Sequence, residues 1–91
     1  MTNRERFEIN WALAEVALAT VPGDAVKRVT VSTNAAPRVT VTFAHFAERF
    51  AGQTVEATEG QDYTHYEITA DGVAWAALEK RETKRAAMVT L

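Results

Sequence analysis

Cysteine is absent from the 91-residue chain, which excludes disulfide staples and thiolate metal sites and is compatible with a cytosolic home. Histidine is nearly as scarce. With only His45 and His65 available, one expected on a helix and the other on a strand, a tetrahedral metal site lacks nitrogen ligands, so no metal and no cofactor is expected. No long apolar run opens the chain. Met1-Thr-Asn-Arg-Glu-Arg6 is charged and leads into a helix interrupted by Glu8 and Glu15, so neither a signal peptide nor a membrane span is expected, and the chain reads as soluble and cytoplasmic. A basic excess is missing too: the net charge of −2 argues against general nucleic-acid binding, which needs cations to neutralise phosphates. There is no Gly-rich phosphate loop, nucleophile elbow, Cys/His ligand pair or internal repeat, so no motif points to an enzyme.

What is present, 47% hydrophobic and 24% charged residues, describes one globular domain spanning 1–91, with residues 1–2 and about 82–91 as candidate flexible ends. A chain of this size buries roughly 60–65% of its unfolded surface, so a protein partner or a second copy would add usefully to its core.

The clearest local signal is Asp71-Gly72 between the alternating runs Tyr63–Ala70 and Val73–Lys80. Both positions of a two-residue type I′ turn need φ > 0, which Gly adopts freely and Asp tolerates, so a β-hairpin is predicted. Its register follows. Ala70 faces Val73, Ile68 faces Trp75 and Tyr66 faces Ala77 on a core face, while Tyr63, His65, Glu67 and Thr69 lie on the other face with Ala74, Ala76 and Leu78. A helix capped by Asp71 and running to about Met88 competes with the second strand, because Ala-Trp-Ala-Ala-Leu-Glu-Lys has good helix propensity. The hairpin is preferred, since a helix would leave residues 63–70 without a strand partner. Beyond Lys80, the chain either frays as a charged tail or closes over the sheet through Met88, Val89 and Leu91.

Upstream, Thr2 and Glu5 have capping-box spacing, and a helix is predicted from about Asn3 to Thr20, ended by Pro22-Gly23. Phe7, Trp11, Ala14, Leu18 and Val21 form one apolar stripe; Ile9, Leu13 and Val16 fall nearly opposite. An arc about 200° wide exceeds what a surface helix needs, which predicts cover on more than one side. Ile9, Leu13 and Val16 are therefore the candidate dimer face. Val26–Thr33 and Arg38–Phe43 read as a second hairpin in which odd-numbered valines oppose one another across a loop of three or five residues. Ala44–Ala51 reads as a two-turn helix docking Phe46 and Phe50. Gln53–Thr58 reads as a strand joined to the central hairpin by a four-residue turn, Glu59–Asp62, with Val55 against Tyr66 and Glu56 beside His65. The predicted fold is α+β: an antiparallel sheet of about five strands, one long N-terminal helix and a short second helix, in the order α-β-β-α-β-β-β.

Charge is unevenly distributed. Residues 51–79 hold Glu56, Glu59, Asp62, Glu67, Asp71 and Glu79 but no Lys or Arg. Glu56, Glu59, Asp62, Tyr63, His65 and Glu67 are thus a candidate acidic binding face. The bland alternative for each is a solvated surface residue, and His65 flanked by carboxylates is a weak pointer to catalysis or metal binding. Lys27, Arg28, Arg38, Lys80, Arg81, Lys84 and Arg85 are the candidate nucleic-acid contacts, though no exposed aromatics are expected among them.

Phe46-Ala-Glu-Arg-Phe-Ala-Gly52, Tyr63-Thr-His-Tyr-Glu67 and Ala70-Asp-Gly-Val-Ala-Trp75, in an Ala- and Thr-rich chain, resemble small accessory proteins encoded by actinobacterial phages and mobile elements. The resemblance covers roughly residues 44–80 and carries over no functional residue. It implies a short bacterial cytoplasmic protein that binds or inhibits a host or defence protein. The expectation is thus a non-enzymatic protein-binding module, with a small nucleic-acid-binding or regulatory protein as the alternative.

Overall fold

A computed structural model describes residues 1–80 and 88–90. The fold is α+β. Two helices, α1 (Asn3–Leu18) and α2 (Phe43–Arg49), accompany strands β1 (Val26–Thr30), β2 (Arg38–Thr42), β3 (Thr54–Glu59), β4 (Tyr63–Ala70), β5 (Val73–Lys80) and β6 (Met88–Thr90). The element order matches the predicted one, with a short sixth strand added. One sheet results, in the order β1-β2-β5-β4-β3-β6.

The central hairpin forms in the predicted register, Ala70 opposite Val73, Ile68 opposite Trp75 and Tyr66 opposite Ala77. Asp71 and Gly72 have φ of 54° and 77°, the turn's two left-handed positions. Val73–Lys80 is a strand, so the competing helix does not start there. The sheet is mixed rather than purely antiparallel, because β5 lies beside β2 and parallel to it, Val39 opposite Trp75 and Val41 opposite Ala77. This central placement explains Val73–Leu78: its apolar residues are continuous because both of its faces are crowded, and Ala76 on the far side from the helices is only 1% exposed. Of the C-terminal segment, Met88–Thr90 forms an edge strand: β6 pairs antiparallel with β3, Val55 opposite Val89, and Leu91 lies outside the described residues.

Two other hairpins differ from expectation by spacing, not by face. In β1–β2, Val29 opposes Val39 as predicted, but a register shift between Val26 and Arg28 sets the even-numbered Val26 opposite Val41, and residues 31–37 form a seven-residue loop between the paired Thr30 and Arg38. Asn10 of α1 holds that loop, its Nδ2 donating to the carbonyls of Ser32 (2.7 Å) and Ala35 (3.1 Å). In β3–β4 the turn tightens around Gln61-Asp62, with the Gly60 N–H donating to the Tyr63 carbonyl at 2.7 Å. Pairing is therefore displaced by two residues: Ala57 opposes Tyr66, Thr58 opposes His65 and Glu56 opposes Glu67. A displacement of two returns each side chain to its predicted face, so burial alone does not oppose it.

The helices cover one face. At the start of α1 the capping box forms, Thr2 N–H to Glu5 Oε1 (2.9 Å) and Glu5 N–H to Thr2 Oγ1 (3.1 Å). The Thr2 N–H first, and the Thr2 side chain second, favour the ionised carboxylate and hold the Glu5 pKa below its ordinary value. Ala14 and Ala17 are buried, and Leu13 and Leu18 pack beside them against the core. The helix buries small residues and so lies close to the sheet. Thr42 ends β2 and caps α2 at once, its Oγ1 accepting from the His45 N–H at 3.3 Å. As predicted, α2 then docks its phenylalanines: Phe46 and Phe50 lie 5.0 Å apart, Phe50 meets Trp75 edge-on at 6.0 Å, and Phe43 lies 5.0 Å from Tyr66. The Arg49 guanidinium closes the cluster 4.0 Å from the Trp75 ring centroid.

Candidate functional site

Two surfaces stand apart from the core: the open face of the sheet and the outward side of α1. On the open face, β4 presents Tyr63, His65, Glu67 and Thr69, flanked by Ala74, Ala76 and Leu78 of β5 and by Thr58 and Glu56 of β3. Strands β2 and β4 are separated by β5, about 10 Å centre to centre, yet Arg38 Nη1 lies 2.8 Å from Glu67 Oε1. Alanine at 74 and 76 permits this bridge, since larger side chains there would stand in its path. The bridge in turn roofs Ala76. His65 Nε2 is 4.0 Å from the same Glu67 oxygen, whereas the predicted neighbour Glu56 faces Glu67 across the ladder. Two like charges directly opposite are unfavourable, and Arg38 offsets that repulsion.

The candidate acidic face is thus divided. Glu56, His65 and Glu67 come together on the open face. Tyr63 lies there too, half exposed, toward the turn end. Asp62 sits exposed in the turn. Glu59 is a correction: it belongs to β3, opposite the buried Thr64, and alternation puts it on the helix-bearing face. Glu79 is also on that face, accepting from the Tyr66 hydroxyl at 2.8 Å. His45 lies on α2, and its Nε2 is buried without a hydrogen-bond partner. Among the described residues, no group of three or more His, Cys, Asp and Glu side chains is arranged to hold a metal.

The basic candidates also separate. Arg38 is engaged by Glu67. Lys27 lines a cavity of about 380 Å³ with Thr42, Phe43, Tyr63 and Leu78, and Lys80 lies opposite Tyr63 across the β4–β5 ladder. Arg28 is exposed on edge strand β1. Arg81, Lys84 and Arg85 lie outside the described residues.

Sequence periodicity misplaced two large side chains on α1. Phe7 and Trp11 share the apolar stripe of Ala14, Leu18 and Val21 by spacing, yet they are 39% and 52% exposed, their rings stacked at 6.0 Å. Of the candidate dimer face, Leu13 packs on the core, whereas Ile9 and Val16 are 48% and 69% exposed. The described residues cover α1 on one side only. The buried side is centred on Asn10, Ala14 and Ala17, leaving apolar flanks to left and right. Asn10 could have signalled this, because a polar residue inside an apolar arc needs a partner, here the 31–37 loop. Phe7, Glu8, Trp11, Ala12 and Glu15 border an open groove of about 340 Å³.

No helix among the described residues is long and apolar enough to cross a membrane. Compared with protein-family models, curated proteins and solved structures, the chain matches none.

Proposed function

We propose that this chain is a non-enzymatic protein-binding module and that the exposed side of α1 is its contact surface. The observation that carries the reading is the pair Phe7 and Trp11, stacked on one another yet open to solvent, with Ile9 and Val16 exposed on the opposite flank of the same helix. Rigid aromatic anchors with a charged rim are the composition of binding hot spots. The open sheet face is the weaker acidic surface, because Arg38 offsets Glu67. The setting implied by the resemblance, an accessory protein acting on a host or defence protein in a bacterial cytoplasm, belongs to the same proposal.

The test compares capture from lysate by the native chain, Phe7→Ser/Trp11→Ser and Glu56→Lys/Glu67→Lys. Loss only in the first variant is expected. Loss only in the second would move the contact to the open sheet face, and identical capture by all three would remove both surfaces.

One observation favours the nucleic-acid reading: Lys27 and Tyr63 share a cavity, with Lys80 across from Tyr63, so cations and an aromatic ring do sit together at one end of the open face. Binding of a single-stranded oligonucleotide that weakens as salt rises would support it; no binding at low salt would end it.

A further inference from the structure

We propose that the partner of α1 is a second copy of this chain, docked antiparallel, helix against helix, about a two-fold axis near the level of Ile9 and Asn10. The proposal rests on the preceding reading that the exposed side of α1 contacts protein, and it names that protein.

The argument begins with spacing. Arg4, Phe7, Glu8, Trp11 and Glu15 recur at i, i+3, i+4, i+7 and i+11, so at 100° per residue they share an arc about 100° wide. All five are exposed, and the arc lies beside the face that Ala14 and Ala17 bury, so the sheet does not obstruct it. Its charges are ordered along the helix: Arg4, which also bonds Glu8 of its own chain at 3.0 Å, stands at one end and Glu15 at the other. An antiparallel second copy centred near residues 9 and 10 sets Arg4 of each chain level with Glu15 of its mate, twice over. Parallel docking would instead oppose Arg4 to Arg4 and Glu15 to Glu15. The aromatics obey the same symmetry. A two-fold axis perpendicular to the helix pair brings the same flank of both helices together, so Phe7 meets Trp11 of the mate within about one residue's rise of 1.5 Å. Each chain already stacks these two rings at 6.0 Å; the dimer extends the stack to four rings.

Size sets the strength. From their exposures the four rings would bury about 400 Å² of aromatic surface, well below the ~1,200 Å² of the smallest standard interfaces. Arg4, Glu8 and Glu15 must supply much of the remainder. The dimer is therefore weak and reversible, forming at about tens to hundreds of micromolar.

The test is sedimentation of the full chain from about 10 to 500 micromolar, with Trp fluorescence followed in parallel. The native chain is expected to dimerise over this range, its emission shifting as Trp11 leaves water while Trp75, already buried, stays constant. Phe7→Ser/Trp11→Ser is expected to weaken association by at least about tenfold. Arg4→Glu and Glu15→Arg are each expected to weaken it about threefold to tenfold, and the two together to restore it to within about twofold of the native value. Glu15→Arg puts a cation in the last turn of α1, where the helix dipole favours it, so weaker dimerisation with an intact circular-dichroism spectrum would not reflect a damaged helix. A native chain monomeric throughout, a dimer indifferent to Phe7→Ser/Trp11→Ser, or a double reversal no better than either single one would overturn the proposal. Monomers whose capture of another protein still depends on Phe7 and Trp11 would refute the second copy and leave the broader reading standing; monomers whose capture ignores both residues would refute both.

Discussion

The two faces of the sheet solve burial differently. On the helix-bearing face, Val39, Val41, Tyr66, Val73, Trp75 and Ala77 are covered by α1 and α2 and by aromatic rings at 5.0 to 6.3 Å. On the open face no element among the described residues lies above the strands, yet Ala76 is as well buried as the core, because a methyl side chain sinks between its neighbours and the Arg38–Glu67 bridge passes over it. One face removes water with apolar volume. The other does so with short side chains under long charged ones, whose aliphatic stems shield the strand while their heads stay wet.

Substitutions can break that contrast. The largest effect is expected on the covered face: Phe46→Ala deletes a ring that is fully buried against Phe50 and Tyr66 and should cost about 3–5 kcal/mol in denaturant unfolding. Ala76→Leu should be next. Its added carbons collide with the Arg38–Glu67 bridge, but the open side lets the chain relax, so about 1–2 kcal/mol is expected from the same measurement. Arg38→Ala should cost about 0.5–1 kcal/mol, since the pair is partly exposed, with an added share from the Glu56 and Glu67 carboxylates left facing each other. This loss should shrink as salt is raised, whereas that of Phe46→Ala should not.

The smallest effect serves as a control outside both faces. Glu5 has a lowered folded pKa because its carboxylate accepts from the Thr2 N–H and is further favoured by the Thr2 side chain. Its stabilisation is therefore complete above the ordinary glutamate value of 4.5 and is lost as pH falls through the lowered folded value. In Glu5→Gln this component of the acid dependence should be absent, with the mid-range pH profile otherwise unchanged.

How much of this was legible in the residues depends on how locally each feature is encoded. Asp71-Gly72 specifies its own backbone angles, and the hairpin register followed pair by pair. The β3–β4 register did not, because Glu59-Gly-Gln-Asp62 admits more than one turn and a two-residue displacement leaves every side chain on its face. The parallel neighbours β2 and β5 are separated by α2, β3 and β4, so no local signal names them; the continuous apolar run of β5 was the only trace. In the candidate site the membership of Glu56, His65 and Glu67 was readable from alternation, but not the bridge to Arg38, which depends on strand order. Phe7 and Trp11 were misread because periodicity reports which residues are apolar and not where the sheet ends.

The junction between β2 and α2 has a consequence for chain length. Thr42 is both the last residue of the strand and the cap of the helix, so no spacer separates the strand's pleat from the helix's rotation. One residue inserted after Thr42 would turn α2 by about 100° and swing Phe46 and Phe50 away from Tyr66 and Trp75. The two periodicities are geared together at this point, and the segment can vary in residue type far more freely than in residue number.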